Sequence, residues 1–342
     1  MSAIRSTSGK GEIVPGARAP IRPDHPAAET TRLDSGGDCY AFCMPSDLDL
    51  HGVWVPLITP FDKSGAVDVE AIERLCGEYL ADGAAGIVAL GTTGESPTLD
   101  ASEKRAVVDA CSRVCTARRA PLIVGTGTNN TRSTIAETQA LAGVPAVVGA
   151  LVVVPYYNRP AEAAIVEHYR MVAEASPVPI VAYNVPARTG RGLASRALLD
   201  VAAIPNVAGV KQAVATLDVD TLEVLAEAPS GFGVLSGDDY LAFPMVCMGA
   251  VGGITASAHV CTARFVAMVE CALAGKLEDG RHHAEALLPV VQTAFAEPNP
   301  AVFKGVLHAQ GRIATPDVRM PLGNASTGAI DRCLAAIENA SH

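Results

Sequence analysis

Gly86-Ile87-Val88-Ala89-Leu90-Gly91-Thr92-Thr93-Gly94-Glu95 reads as a short apolar strand running into a glycine-bounded turn. Directly after it, Asp100-Ala101-Ser102-Glu103 supplies the acidic and hydroxyl side chains of a helix first turn. The same order recurs along the chain. Apolar, β-branched runs at 53–59, 86–90, 122–125, 150–154, 180–184, 207–211, 233–235 and 251–255 alternate with longer helical stretches, and Asp68 and Asn130-Thr131 mark further helix starts. Such alternation puts parallel strands side by side with helices outside them, and eight strands predict a closed (β/α)8 TIM barrel of the α/β class. Three more helical runs, 277–295, 300–310 and 327–339, predict a C-terminal helical extension. An open dinucleotide-binding sheet does not fit, because Val55-Pro56-Leu57-Ile58-Thr59-Pro60 is not glycine-rich and Gly125-Thr126-Gly127-Thr128-Asn129-Asn130 lacks a third glycine.

Composition agrees with one barrel plus appendages. Of 342 residues 49% are hydrophobic and 18% charged, enough core material to exclude disorder across the bulk of the chain. A barrel takes about 250 residues. The division expected is therefore a disordered tail at 1–50, a barrel at 51–275 and a helical segment at 276–342. The tail mixes Ser, Gly, Pro, Asp and Arg without period, and Glu12, Asp24, Glu29, Asp34 and Asp38 count against a transit peptide. Met44 is an alternative start.

A net charge of −10 without a basic run excludes nucleic acid as a partner. The segment 241–263 lacks Asp, Glu, Lys and Arg, yet Pro244, Gly249, Gly252, Gly253 and His259 break it into a short helix, a turn and a strand rather than a membrane span. The run 142–157, cut by Pro145 and Pro155, reads as a loop and one buried strand. Nine scattered cysteines without a secretory leader predict reduced thiols and a cytoplasmic protein. Cys39 with Cys43 and Cys111 with Cys115 have helix-face spacing but no further Cys or His to make a zinc site, so no metal is expected.

Barrel chemistry sits at the C-terminal ends of the strands. Lys211 ends Val207-Ala208-Gly209-Val210, a strand of small apolar residues. A lysine there loses hydration of its ammonium, which favours the neutral amine that attacks a carbonyl to form a Schiff base. The alternative is a lysine that snorkels to the rim or pairs with a carboxylate. Tyr183 ends the preceding strand and is placed to pass protons in imine formation, or else to serve as a core tyrosine with a satisfied hydroxyl. The turn Gly91-Thr92-Thr93-Gly94-Glu95 offers two hydroxyls and closely spaced amides, a nest for a small carboxylate or phosphate, although glycines also serve barrel turns for geometry alone.

In order, Gly91-Thr92-Thr93-Gly94-Glu95-Ser96, Pro155-Tyr156-Tyr157-Asn158-Arg159-Pro160, Tyr183-Asn184-Val185-Pro186-Ala187-Arg188-Thr189-Gly190, Gly209-Val210-Lys211, Leu235-Ser236-Gly237-Asp238-Asp239 and Glu297-Pro298-Asn299-Pro300 resemble the dihydrodipicolinate synthase/N-acetylneuraminate lyase family of class I pyruvate aldolases. The resemblance runs from Gly52 to the C-terminal helices. It implies that Lys211 forms an imine with pyruvate, and that Tyr183 relays protons with Thr92 and with Tyr157 supplied by a neighbouring subunit. It implies further that Gly91 and Thr93 hold the pyruvate carboxylate, that Ile254 lies near the imine, and that the enamine attacks a small aldehyde. No cofactor beyond the covalent imine is implied, and a homo-oligomer, dimer or tetramer, is.

Arg188 resembles the branch in which this residue receives the carboxylate of aspartate semialdehyde, on the way to lysine and diaminopimelate; a guanidinium grips a carboxylate with two hydrogen bonds. Gln212-Ala213-Val214-Ala215 departs from that branch, which often reads Glu-Ala-Thr or Ser-Gly after the lysine. The alternative is another pyruvate-dependent aldolase or dehydratase acting on a sugar acid or hydroxy-oxo acid; a silent pyruvate-binding paralogue is a third reading. His259 stands where the family often has Asn and is read as a satisfied helix-start residue. Ser133, Ala101 and Lys104 occupy the positions of the glutamate and histidines of lysine-inhibited members, so weak or absent lysine feedback is expected.

Overall fold

The computed structural model describes residues 48–340. Cys39, Cys43, Met44 and most of the expected tail lie outside the described residues. Eight parallel strands close into a barrel in chain order: β1 Gly52–Pro56, β2 Gly86–Ala89, β3 Leu122–Gly125, β4 Val147–Val153, β5 Ile180–Asn184, β6 Val207–Gln212, β7 Gly233–Ser236 and β8 Gly252–Ile254. Closure comes from β8 pairing with β1, with Gly52 opposite Gly252 and Trp54 opposite Ile254. All eight expected strands are present. β1 stops at Pro56, which lacks an N–H for the ladder, and β4 begins three residues before the expected position.

Alternation of side chains explains why the runs are apolar throughout. Trp54, Val88, Ile123, Leu151, Val181, Tyr183, Leu235 and Ile254 fill the barrel interior. Val53, Val55, Ile87, Ala89, Val124, Ala150, Ile180 and Val210 instead join the layer between strands and helices. Below the barrel, Leu50 is buried and accepts a hydrogen bond from Trp54 Nε1 on its carbonyl at 3.1 Å. A Cβ at Gly209 would come within 2.7 Å of the Leu50 side chain. Leu48 and Leu50 thus pack on the barrel floor.

The order of β6 depends on a bulge. Ile180 faces Val207, but Val181 faces Gly209, so Ala208 is an extra residue and Lys211 comes opposite Tyr183. Without the bulge, Lys211 would lie opposite Asn184. Because a one-residue slip exchanges the two faces of a strand, Ala208 is what brings Lys211 onto the face of Tyr183.

Helices return the chain between strands: α1 Val69–Ala81, α2 Ala101–Arg118, α3 Thr131–Gln139, α4 Glu162–Ala175, α5 Pro186–Thr189, α6 Ser195–Ala202, α7 Val219–Glu227 and α8 Ala242–Cys247, and α9 Ala258–Leu273 follows the last strand. Asp68, Asp100 and Asn130 cap α1, α2 and α3, and Asp100 with Glu103 closes a capping box. The uncharged run 241–263 is α8, a turn, β8 and the start of α9, as its prolines and glycines predict. Among the described residues, no helix is long and apolar enough to cross a membrane. Cys111 and Cys115 lie buried on α2, where Cys111 Sγ is 3.8 Å from Cys76 Sγ of α1, and the described cysteines are free thiols.

The extension is α10 Leu277–Ala294, α11 Ala301–Ala309 and α12 Thr327–Ala340. Val302, Phe303 and Val306 of α11 pack with Ala256, Ala294, Ala329 and Cys333, which joins the loop after β8 to the appended helices.

Candidate active site

Lys211 is 7% exposed near the C-terminal end of β6. Its Nζ lies 4.6 Å from the centroid of the Tyr183 ring. Gly237, just past β7, makes room for it: a Cβ there would lie 3.0 Å from Lys211 Cγ and Cε and 2.6 Å from Ala213 Cβ. Among the described residues Lys211 Nζ has no carboxylate within ion-pair distance. The amine is thus enclosed by a ring and by backbone.

The ends of β5 and β6 are locked together beside these two residues. Asn184 Nδ2 donates to Gln212 Oε1 at 3.0 Å, Gln212 Nε2 donates to Thr221 Oγ1 at 3.0 Å, and Asn184 Oδ1 accepts from Leu193 N. Gln212 needs both a donor and an acceptor in this buried chain, which gives its amide a physical role where the family often carries an acid.

Two carboxyls follow β7. Burial pushes the Asp238 carboxyl up from its ordinary value, while hydrogen bonding from Ala215 N and the Lys211 charge pull it down. Asp239 is fully buried and pushed up to about 6, although its oxygens accept from Ala256 N and Ser257 N. Asp239 thereby fixes the loop after β8, beyond Ile254. Ile254 itself is buried at the end of β8 and belongs to the interior cluster with Tyr183 and Leu235.

Thr92-Thr93-Gly94 is a single 3-10 turn after β2, closed by Gly94 N to Gly91 O and Glu95 N to Thr92 O. Thr59 Oγ1 donates to Gly94 O at 2.7 Å. A Cβ on Gly91 would meet nothing within 4 Å, so the backbone here borders open space. Glu95 ends the turn with φ of 55°, a left-handed conformation unusual for a residue with a side chain. What holds it there is buried polar bonding: Glu95 Oε1 accepts from Lys304 Nζ at 2.7 Å and Oε2 from Arg319 N at 2.8 Å. Thr93, buried, accepts on Oγ1 from Asn299 Nδ2 at 3.0 Å.

At the rim, Tyr157 is 90% exposed in the loop after β4, with φ of 73°. Its N–H donates to Thr189 O, which ties that loop to α5, where Arg188 is exposed. Lys211, Tyr183 and Ile254 thus come together inside the barrel, the Thr92-Thr93 turn caps β2, and Tyr157 and Arg188 stand at the surface. His259 is a satisfied core residue. Its Nε2 accepts from Ile58 N, its Nδ1 lies 2.7 Å from Ala256 O, and burial lowers its imidazolium to about 4, which keeps it neutral. Among the described residues no cluster of His, Cys, Asp or Glu is arranged to hold a metal ion.

Sequence reading assigned no role to Lys304, Arg319 or Asn299, nor to Glu95 within its turn. The available signal was the lysine in the apolar run Ala301-Val302-Phe303-Lys304-Gly305-Val306, since a fully buried ammonium requires a carboxylate partner.

The model of the dihydrodipicolinate synthetase family matches residues 49–340. The chain is 41% identical over 273 residues to a 4-hydroxy-tetrahydrodipicolinate synthase of Neisseria meningitidis serogroup B, covering 80% of this chain and 92% of the relative. A 4-hydroxy-tetrahydrodipicolinate synthase of Salinibacter ruber is 39% identical, with 82% and 91% covered. Among solved structures, the dihydrodipicolinate synthase of Acinetobacter baumannii complexed with pyruvate matches with a TM-score of 0.82 at 32% identity, covering 86% of this chain and 99% of that one. The 4-hydroxy-tetrahydrodipicolinate synthase of Methylacidiphilum fumariolicum SolV matches with a TM-score of 0.81 at 30% identity, covering 86% and 96%. The family model and these relatives, each covering four fifths or more of the chain, show that the chain belongs to the dihydrodipicolinate synthetase family.

Proposed function

We propose that this chain is a Schiff-base lyase that condenses pyruvate with aspartate semialdehyde to 4-hydroxy-tetrahydrodipicolinate, in lysine and diaminopimelate synthesis. The observation that carries the reading is Lys211: buried, free of any ion pair among the described residues, and packed on Tyr183 near the C-terminal end of its strand. The neutral amine attacks the pyruvate ketone to give a carbinolamine. Loss of water gives the imine, whose nitrogen draws electrons from the neighbouring methyl, so that a proton leaves and an enamine forms. The enamine carbon then bonds to the aldehyde carbon, whose oxygen takes a proton to become the 4-hydroxyl, and the amine of aspartate semialdehyde attacks the regenerated imine carbon, which closes the ring and releases the Lys211 amine. The lysine nitrogen is itself the electron sink, and the reading includes no external cofactor.

Tyr183 passes the protons of dehydration, with Thr92 and with Tyr157 of the partner subunit completing the relay. Exposure of Tyr157 in the single chain supports a homo-oligomer, dimer or tetramer, in which it is covered. The Thr93 hydroxyl and the amides from Gly91 onward hold the pyruvate carboxylate, Ile254 packs beside the imine, and Arg188 takes the carboxylate of the aldehyde. The free thiols among the described residues suit a cytoplasmic setting.

A panel of aldehydes tests the assignment. Aspartate semialdehyde is expected to turn over, and Arg188→Ala to raise its KM or lower kcat while pyruvate still forms the imine. Turnover of a sugar-derived aldehyde with none of aspartate semialdehyde would move the chain to the sugar-acid branch.

A further inference from the structure

Asn299 lies outside the barrel, in the link between α10 and α11, yet its amide reaches the turn after β2. The link is pinned on both sides. Before Asn299, Glu297 accepts from Ser326 N at 3.0 Å and from Ser326 Oγ at 2.5 Å, just ahead of α12. After it, Lys304 of α11 holds Glu95, and Arg319 N donates to the second Glu95 oxygen while its guanidinium pairs with Glu103 at the start of α2. Asn299 Nδ2 is thereby presented to Thr93 Oγ1 at 3.0 Å.

A threonine hydroxyl has two acceptor lone pairs and one proton. When an amide N–H occupies a lone pair, the proton is not shared with that neighbour and remains free to donate elsewhere. We propose that Asn299 is a positioning residue for the carboxylate of the keto-acid substrate: by donating to Thr93 Oγ1 it aims the Thr93 proton at that carboxylate. The inference rests on the reading of the Thr92-Thr93 turn as the pyruvate carboxylate site. It gives the C-terminal segment a part in substrate affinity and not only in packing.

Steady-state kinetics with pyruvate and the aldehyde varied separately, on the full chain, test it. Asn299→Ala is expected to raise KM for pyruvate about fivefold, the effect of one net hydrogen bond, with KM for the aldehyde unchanged. In a Thr93→Val background the same substitution should change KM for pyruvate by less than about twofold, because residues acting through one contact are not additive. Asn299→Asp, which can only accept, captures the Thr93 proton and adds a negative charge beside the carboxylate, so it should raise KM for pyruvate more than Ala does. Multiplicative effects of Asn299→Ala and Thr93→Val, equal rises in both KM values, or a harmless Asn299→Asp would overturn the proposal. Wild-type protein that forms no imine with pyruvate would instead remove the reading on which it rests.

Discussion

Among the described residues two lysines are buried, and they differ in what surrounds the nitrogen. Lys304 is fully buried on α11 with Glu95 Oε1 at 2.7 Å and the Phe61 ring centroid at 4.0 Å. Burial pulls its ammonium down to about 8, against the upward pull of the Glu95 carboxylate. Lys211 has a ring on one side and the backbone of Gly237 on another, and Asp238 and Asp239 act on it only through space. A buried amine locked to a carboxylate is a structural tie, whereas one left without a partner beside an open strand end is available as a nucleophile. The first lysine holds the turn after β2, and the second stands near the end of β6 against Tyr183.

The largest expected effect separates the two by their readouts. Lys211→Met should lower kcat by at least about a thousandfold with stability within about 1 kcal/mol of wild type. Lys304→Met leaves the Glu95 carboxylate buried without its cation and should cost about 3–5 kcal/mol in urea unfolding. A double Glu95→Gln/Lys304→Met variant should recover most of that, since matched neutral side chains leave no orphan charge. An active Lys211→Met protein, or a Lys304→Met protein as stable as wild type, would break the comparison.

Acid offers the next test, because the two regions respond with opposite signs. His259 packs beside Phe303 of α11, and burial puts its folded value at about 4 against an ordinary 6.5. Between those values the unfolded chain binds a proton that the folded chain refuses, so stability is lost as pH falls from about 6.5 toward 4. His168, likewise lowered by burial to about 4, adds to the loss. Asp239 beside the mouth acts the other way: held up at about 6 from 3.8, it contributes stability at low pH that is lost as pH rises toward 6. The two histidines outweigh the one carboxyl. His259→Asn should therefore remove about 2 kcal/mol of the stability difference between pH 7 and pH 5, and an unchanged difference in urea midpoints would contradict this.

The smallest effect lies away from both lysines. Ser133 and Ala101 bring no charge to the positions that the family resemblance assigns to a lysine effector, and Lys104 lies 3.7 Å from Glu137. Free lysine should change the rate by less than about twofold, since an incoming ammonium meets a like charge there. Inhibition by sub-millimolar lysine in a coupled assay would contradict the expectation.

These predictions also mark what was legible in the residues. Strand runs such as Gly86-Ile87-Val88-Ala89 announce themselves because both faces of a barrel strand are buried, so every position is apolar. Lys211 stood out against just such a background. Tyr183 was legible too, as the end of the preceding strand; the register that sets the two opposite each other was not, because it depends on Ala208 being an extra residue, and a bulge leaves no composition signal in a strand of Val, Ala and Gly. The Glu95–Lys304 tie joins residues far apart in the chain, and only closure of the barrel followed by docking of α11 brings them together. Leu50 carried no mark of burial either, since its neighbours Asp49 and His51 are polar.

Lys211 rather than Lys304 is expected to be the reacting amine. Incubation with pyruvate, reduction with borohydride and peptide mapping by mass spectrometry test it directly. A reduced pyruvate adduct is expected on the peptide containing Lys211, with Lys304 unmodified. An adduct on Lys304, or none on Lys211, would contradict it.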